Sequence, residues 1–233
     1  MTVEPITAVV FDKDGTLFDF RATWGHFTAR LIDHLAQGER ALGARLERAL
    51  GFHVATETFA PDSIVIAGTA AEMAGAAARV LPDRTVAGLV AEIDRMAAEA
   101  PQMPVLPLGP YLDDLSARGL ALGVATNDSE MPARAHLEAA GIAARFDFIA
   151  GYDSGHGAKP GPGPLLAFAE AVGRAPGACA MVGDSLHDLM AARAAGMRAV
   201  AVLTGIAGAD VLSPVADVVL PDIGALAGWL ETL

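Results

Sequence analysis

The sequence predicts a doubly wound α/β protein, with a mostly parallel Rossmann-like sheet and an inserted all-helical segment. Several short apolar runs each end abruptly at a polar residue, and helix-like stretches alternate with them. The runs are continuously apolar, which indicates strands buried on both faces of a sheet. Alternation of strand and helix is typical of α/β folds. One long interval, residues 18–104, breaks this alternation because it shows helical patterns only.

The predicted strands and helices of the sheet domain follow one another in order. The three strongest runs stop at Asp12, Thr126 and Asp184. The six predicted strands are 6–11, 120–125, 146–151, 178–183, 198–203 and 216–221. Helices are predicted at 130–140, 162–173 and 186–196, each followed or ended by a glycine that suits a helix C-terminus, namely Gly141, Gly173 and Gly196.

The interval from 18 to 104 is interpreted as a helical domain inserted after the first strand. Its predicted helices are 20–36, 38–50, 69–80 and 84–99, with a break at the proline-containing TFAPDS. The proline-rich segment 101–110 is interpreted as a linker that returns to the sheet. The expected domains are therefore 1–17 with 105–233, and 18–104.

Composition excludes several classes of protein. With 233 residues, 53% of them apolar and 19% charged, the chain is expected to fold around a substantial core. Sixteen basic against 28 acidic residues argue against a nucleic-acid or anionic-membrane surface. No apolar stretch is long enough to span a membrane, and the acids near the start do not suit a signal peptide, so we expect a cytoplasmic protein. The single cysteine, Cys179, excludes an intrachain disulfide.

The segment FDKDGT carries the sharpest chemical signal. Asp12 and Asp14 follow the first strand two residues apart, so they are expected on the same side, and Gly15 allows a sharp turn. One carboxylate can then act as a nucleophile while the other handles a proton. The alternatives are a plain turn or the start of a calcium loop, but Arg21 stands where such a loop needs a glutamate. Lys13 is expected to point away from the two acids and is given no role.

A second acidic segment, GDSLHD, follows the strand at 178–183. Asp184 is expected to point into the crevice at the carboxyl edge of the sheet as a metal ligand. Asp188 lies in the first turn of the next helix, where it would position that ligand or a water. Capping of this helix by Ser185 and Asp188 is the alternative. Clustered carboxylates repel one another unless a cation offsets them, and an oxygen-rich site suits Mg²⁺.

A lysine and a hydroxyl complete the predicted site. The chain has two lysines against fourteen arginines, and Lys159 lies in a loop rich in glycine and proline. Its ammonium can neutralise a phosphate oxygen and a nearby aspartate together, although a surface lysine is the alternative. Thr126 and Asn127 follow their strand directly and offer a hydroxyl and backbone N–H groups to phosphate oxygens. A simple turn at the strand end is the alternative for that pair.

The segments FDKDGT, VATN, AKPGP and VGDSLHD resemble the four motifs of haloacid dehalogenase-like phosphohydrolases, in order and in spacing. The helical insert is similar to the cap that follows the first motif in the phosphoglycolate phosphatase-like branch. The resemblance implies that Asp12 attacks phosphorus and Asp14 acts as general acid and base. It implies that Thr126 and Asn127 hold phosphoryl oxygens and that Lys159 neutralises charge.

The resemblance also implies a magnesium site and a substrate pocket. Mg²⁺ would be coordinated by Asp12, Asp184 and the backbone carbonyl of Asp14. Substrate contacts are expected from Gly15 and Asn127, and from three insert residues that follow the first motif: Arg21, Trp24 and His26. Packing of Trp24 in the core of the insert is an equally good interpretation.

The predicted function is a Mg²⁺-dependent phosphatase for a small phosphorylated metabolite, with 2-phosphoglycolate as one candidate. Asp14 argues against dehalogenation, and the lack of lysine in 18–104 argues against phosphonate cleavage through a Schiff base. A sugar-phosphate mutase stays open. A phospho-acceptor signalling module is the alternative outside the enzymes, although the acid pair after one strand and the long insert argue against it. The intact acids Asp12, Asp14 and Asp184 argue against a scaffold without activity. The oligomeric state is left open.

Overall fold

The computed structural model describes residues 5–233, and its centre is a six-stranded parallel sheet. The chain forms eight strands: β1 (Ala8–Phe11), β2 (Phe52–His53), β3 (Thr58–Phe59), β4 (Ala121–Ala125), β5 (Phe148–Ala150), β6 (Cys179–Gly183), β7 (Arg198–Val202) and β8 (Val218–Leu220). The large sheet has the order β5-β4-β1-β6-β7-β8. All five pairings in it are parallel. The predicted α/β fold with a parallel sheet is confirmed.

Both faces of this sheet are buried, as the continuous apolar runs predicted. Along β1, Val9 and Phe11 belong to one hydrophobic cluster, whereas Ala8 and Val10 belong to another. All four side chains are fully buried. Since successive residues of a strand point to opposite faces, each face of the central strand meets its own layer of helices.

The helices surround the sheet and fill the interval before β4. They are α1 (Phe20–Ala36), α2 (Arg40–Leu50), α3 (Ile64–Ala67), α4 (Ala70–Ala78), α5 (Val86–Ala98), α6 (Leu108–Ala117), α7 (Glu130–Ala139), α8 (Gly163–Ala171), α9 (Leu186–Ala195), α10 (Ala209–Leu212) and α11 (Leu226–Leu230). Short 3₁₀ turns occupy 143–145, 176–178 and 223–225. No helix within residues 5–233 is both long and apolar enough to cross a membrane.

The segment 18–104, called the insert below, contains α1 to α5. Its buried side chains form a separate cluster that runs from Phe20 to Ala100. The interval is helical as predicted, but "all-helical" needs correction because β2 and β3 form a small antiparallel pair. The pair is only two residues long on each side, too short to show an alternating pattern in the sequence. The exact domain boundaries stay a prediction.

The return from the insert differs from the predicted linker. The segment 101–110 was interpreted as a linker throughout, whereas helix α6 begins at Leu108 and includes Pro110. Pro110 is the third residue of the helix, where a backbone N–H has no partner within the helix, so proline is tolerated there. Pro107 at the N-cap and Pro110 in the first turn therefore concealed the start of helix α6.

Candidate active site

Three neighbouring strands at the centre of the sheet deliver the predicted site residues. Strand β1 lies between β4 and β6, and the three end at the same edge. Asp12 follows β1, Thr126 follows β4 and Asp184 follows β6. The Asp12 N–H donates to the Val182 carbonyl (2.9 Å), which extends the sheet pairing to the aspartate itself. This is the point where strand order reverses, the usual ligand site of an open α/β sheet.

Lys159 brings the loop after β5 into the same group. Its Nζ donates to Asp12 Oδ1 (2.7 Å) and to Asp188 Oδ1 (2.6 Å). Asp12, Asp184 and Asp188 each place a carboxylate oxygen within 4.8 Å of the others. All four side chains are buried. We call this group (Lys159, Asp12, Asp184 and Asp188) the Lys159 cluster.

Burial and crowding shift the pKa values of the Lys159 cluster. Burial raises the pKa of Asp12 to about 7; Lys159 opposes the shift, and Asp188 and Asp14 add to it. Burial, followed by repulsion from Asp12 and Asp188, raises the pKa of Asp184 well above its ordinary value. Burial disfavours the charged form of Lys159, but the carboxylates of Asp12 and Asp188 outweigh it and raise its pKa. Three carboxylates thus share one ammonium, and a bound cation would stabilise their charged form.

Asp188 joins the lysine to the start of helix α9. Its Oδ2 accepts from the N–H (3.0 Å) and the hydroxyl (2.6 Å) of Ser185, while Oδ1 accepts from Lys159. Ser185 Oγ in turn accepts from the Asp188 N–H, which completes a capping box. The two interpretations of Asp188, helix cap and support of the site, therefore hold together in one side chain.

Gly15 has a different place from the predicted one. Its N–H donates to the Phe18 carbonyl (2.7 Å), so this N–H is used within the turn itself. Gly15 has φ +82°, and a Cβ there would overlap the Asp184 carboxylate. Gly15 also does not line the cavity described below. The structure supports Gly15 as the residue that lets Asp184 approach the turn, and not as a substrate contact.

Thr126 and Asn127 lie at the edge of the cavity, but their polar groups already have partners. Thr126 Oγ1 accepts from the Asp128 N–H (3.1 Å). Asn127 Nδ2 donates to the carbonyls of Ala67 and Lys159, and its Oδ1 accepts from the Lys159 N–H, all at 2.9 Å. The Asn127 amide thus holds the backbone of Lys159 and reaches the insert.

Lys13 contradicts the expectation that it points away from the acids. Its side chain is fully buried, and Nζ lies 2.6 Å from Asp14 Oδ2, 3.4 Å from Asp128 Oδ2 and 3.0 Å from His136 Nδ1. We call this group (Lys13, Asp14, Asp128 and His136) the Lys13 cluster. The strand ends at Phe11, so strict alternation no longer applies at position 13. Asp14 itself faces the cavity, as predicted.

A cavity lies between the sheet edge and the insert, and residues of both line it. Its two walls differ sharply in chemistry. The sheet domain contributes polar side chains only: Asp12, Asp14, Thr126, Asn127, Asp128, Lys159, Asp184, Ser185, His187 and Asp188. The insert contributes an almost wholly apolar wall: Phe20, Trp24, Val65, Ile66, Ala67, Gly68, Ala70, Met73 and Ile93.

Of the insert residues predicted to meet substrate, the structure brings only Trp24 to the cavity. Trp24 is 8% exposed, and its Nε1 is buried with no hydrogen-bond partner within residues 5–233. It also packs on Phe20 and Phe27, so Trp24 belongs to the core of the insert and lines the cavity, while a substrate contact stays a prediction. Arg21 and His26 are exposed and do not line the cavity. The expectation for these two was wrong.

Three residues near the site escaped the sequence analysis. Asp128 and His187 line the cavity, and buried His136 contacts Lys13 from helix α7. His187 lies inside the predicted motif VGDSLHD, and Asp128 directly follows the motif VATN, so adjacency was an available signal. His136 had none, because only the tertiary fold brings it to position 13.

Comparison with known proteins agrees with this geometry. A model of the haloacid dehalogenase-like hydrolase family matches residues 6–196. The chain belongs to this family. A phosphoglycolate phosphatase of Xylella fastidiosa is 32% identical over 200 residues, which cover 84% of this chain and 80% of that protein. The family and the branch that the sequence predicted are therefore confirmed.

Two further likenesses concern parts of the chain or its fold. A phosphoglycolate phosphatase of Rhodospirillum rubrum is 40% identical over 119 residues, which span about half of each protein (51% of this chain and 49% of the relative). A crystal structure of a haloacid dehalogenase-like hydrolase from Bacteroides fragilis superposes with a TM-score of 0.70 at 20% identity, covering 95% of this chain and 99% of the other. This second likeness concerns the fold alone.

Proposed function

We propose that this haloacid dehalogenase-like hydrolase is a Mg²⁺-dependent phosphatase that acts on a small phosphorylated metabolite through a phosphoryl group on Asp12. The single observation that carries the proposal is the pairing of two acids with different surroundings at one cavity. Asp12 is tied to Lys159 (2.7 Å) beside Asp184, whereas Asp14 is tied to Lys13 (2.6 Å) and lines the same cavity. The Asp12 carboxylate thus lies among carboxylates that could bind a metal ion, whereas the Asp14 carboxylate lies outside that group.

The residues present suit a magnesium ion. Mg²⁺ prefers oxygen ligands and is commonly held by one or two carboxylates. Asp12 and Asp184 supply such carboxylates, and the backbone carbonyl of Asp14 is the proposed third ligand. Both oxygens of Asp188 are already engaged by Lys159 and Ser185, which favours a supporting role for it. When bound, the ion would offset the charge of these carboxylates and of a phosphate group.

The two acids can divide the chemistry between them. In the first step the Asp12 carboxylate forms a bond to phosphorus as the bond to the leaving oxygen breaks, and protonated Asp14 gives that oxygen its proton. In the second step Asp14, now a carboxylate, takes a proton from water as the water oxygen bonds to phosphorus and the bond to Asp12 breaks. Inorganic phosphate leaves, and both aspartates return to their starting states.

The remaining polar residues position the phosphoryl group. Lys159 stands within hydrogen-bond distance of Asp12, where its ammonium would also neutralise a phosphoryl oxygen. We assign Thr126 and the backbone after β4 to the other phosphoryl oxygens. Asn127 acts by holding Lys159 in place, since its amide makes two hydrogen bonds to the backbone of that residue.

Two observations bear on the substrate. Relatives named phosphoglycolate phosphatase support 2-phosphoglycolate as the first compound to test. The cavity supports a different class, because its insert wall offers a single polar group, Trp24 Nε1, and no cationic side chain to pair with a second negative charge. A leaving alcohol that is small and uncharged suits this wall best.

A substrate panel tests the proposal. The purified chain is assayed with Mg²⁺ against p-nitrophenyl phosphate, 2-phosphoglycolate, a short alkyl phosphate and several sugar phosphates, with inorganic phosphate as the readout. Many turnovers support a phosphatase, whereas one phosphate per chain would identify a phospho-acceptor module. A rearranged sugar phosphate without phosphate release would identify a mutase. Asp12→Asn is the control, and any wild-type-like activity in it would refute the nucleophile assignment.

A further inference from the structure

Lys13 occupies a site built to hold an ammonium group in one position. Two acceptors lie next to its Nζ, Asp14 Oδ2 at 2.6 Å and His136 Nδ1 at 3.0 Å, and Asp128 Oδ2 forms an ion pair with it at 3.4 Å. The side chain has no exposed surface. A buried lysine is costly unless it is fully paired, so this position is specified by the whole group and not by Asp14 alone.

The two partners other than Asp14 are themselves fixed. His136 Nε2 lies 2.7 Å from the Ala97 carbonyl, which can only accept, so Nε2 carries the proton and Nδ1 is the acceptor for Lys13. Asp128 Oδ1 accepts from the Ser129 N–H (2.9 Å). The ring of Trp24 lies 5.8 Å from Lys13 Nζ. The ammonium is therefore anchored both by helix α7 and by the insert.

The arrangement leaves the two oxygens of Asp14 in different states. Oδ2 is bound to Lys13, whereas Oδ1 is buried and has no hydrogen-bond partner within residues 5–233. Asp14 lines the cavity. An aspartate with one oxygen fixed and the other free has a defined orientation, which is the geometric need of a general acid.

We propose that Lys13 is the positioning residue for Asp14: by holding Oδ2 it leaves Oδ1 as the oxygen that exchanges a proton with the leaving group. This inference rests on the proposed phosphatase function. Lys13 itself touches neither phosphate nor leaving group. It acts through Asp14 alone, in contrast to Lys159, which contacts the nucleophile.

The dependence of kcat/KM on the leaving group distinguishes a positioning role of Lys13 from a merely structural one. p-Nitrophenolate leaves without a proton, whereas an alkoxide needs one from the general acid. Lys13→Met should therefore lower kcat/KM for a short alkyl phosphate by about 10²-fold more than for p-nitrophenyl phosphate. Because kcat/KM covers only the steps up to the first phosphoryl transfer, effects on hydrolysis of the intermediate do not enter. Lys13→Arg keeps the charge and should recover part of the alkyl phosphate activity.

Two variants guard against a folding defect. The double variant Lys13→Met with Asp128→Asn removes one charge of each sign, so the net charge of the Lys13 cluster is unchanged; it should show the same selective loss. Asp128→Asn alone keeps the Lys13–Asp14 pair and removes only one charged neighbour of Nζ, so it should change the ratio between the two substrates much less than Lys13→Met does. Circular dichroism and thermal unfolding verify that each variant is folded.

The outcomes separate this inference from the proposed function. The proposed function stands if the wild type turns over and Asp12→Asn does not. In that case, equal losses of kcat/KM for both substrates in Lys13→Met and in the double variant would overturn the positioning role alone. Wild-type protein without Mg²⁺-dependent turnover of any phosphomonoester would overturn the proposed function first. A selective loss for the alkyl phosphate in a folded variant supports both.

Discussion

The two lysines of the chain stand at the centres of two buried charged clusters, and the clusters differ in their balance of charge. Lys159 contacts the carboxylates of Asp12 and Asp188, and the Asp184 carboxylate lies beside these two. Lys13 meets two carboxylates and a histidine. Asp12 and Asp14 are two residues apart, so the two clusters are neighbours. With every carboxylate and lysine ionised and His136 neutral, the Lys159 cluster has two excess negative charges and the Lys13 cluster has one.

This difference in charge bears on which of the two clusters would bind a cation. In the Lys159 cluster burial raises the pKa of Asp12 to about 7 and that of Asp184 well above its ordinary value, because one ammonium cannot compensate three carboxylates. In the Lys13 cluster burial lowers the pKa of His136 to about 4, with Lys13 adding to the shift, so that ring stays neutral and accepts from the ammonium. Burial also raises the pKa of Asp128 to about 7, and Lys13 opposes that shift. The Lys159 cluster has the larger excess of negative charge, so it is the proposed place for a cation.

The largest effect is expected from Asp12→Asn. The amide cannot attack phosphorus, so turnover should fall by roughly four to six orders of magnitude. The substitution also removes one of the three crowded carboxylates, so the metal-free variant should unfold at the same or a higher urea concentration than the wild type. Phosphate release and urea denaturation measure the two quantities. If Asp12→Asn does not fold, Asp12→Glu replaces it as the test. Asp12→Glu should be folded and nearly inactive, because its longer side chain displaces the carboxylate.

Lys159→Met should weaken both folding and turnover. It leaves three buried carboxylates without an ammonium, which is expected to cost about 3–5 kcal/mol of unfolding free energy. Turnover should fall by about 10²–10³-fold because the charge beside Asp12 is lost. Lys159→Arg is the matched control, and Mg²⁺ should restore part of the stability of Lys159→Met. A metal-free Lys159→Met protein as stable as wild type at about pH 8 would show that the cluster charges do not depend on the lysine.

Stabilisation by Mg²⁺ should depend on pH. The folded-state pKa values of Asp12 and Asp184 are raised, so their contribution to stability is present at low pH and is lost as pH rises through about 7 for Asp12. Mg²⁺ binds the ionised carboxylates, so it should raise the Tm by roughly 5–10 °C at about pH 8 and by much less at about pH 5.5. Thermal unfolding with and without Mg²⁺ measures this. Asp184→Asn should remove most of the effect; an unchanged effect would place the ion elsewhere.

The smallest effect is expected from Trp24→Phe. This substitution keeps an aromatic ring near Lys13 and on the apolar wall but removes the unpartnered Nε1–H, so kcat/KM should fall about 2–10-fold. Trp229→Phe is the matched control. Trp229 packs against a hydrophobic cluster of the sheet and does not line the cavity, so this substitution should leave kcat/KM unchanged. Equal kinetics for both variants would show that Trp24 acts only in packing.

The sequence was most informative where strands end and least informative where the chain folds back on itself. Buried apolar runs indicated β1, β4 and β6, and the polar residues after them were therefore placed at one sheet edge, where the structure has Asp12, Thr126 and Asp184. The direction of Lys13 was missed because its partners, Asp128 and His136, are more than a hundred residues away. His26 was misplaced because it lies on the side of α1 opposite its buried residues, and the motif spacing did not show this phase.

Mass spectrometry of the acid-quenched protein tests the central claim most directly. After brief mixing with p-nitrophenyl phosphate and Mg²⁺, the peptide that contains Asp12 should gain the mass of one phosphoryl group, and hydroxylamine should remove it as expected for an acyl phosphate. The same label in Asp12→Asn, or a wild-type protein that releases phosphate while its label lies on another residue, would contradict the account.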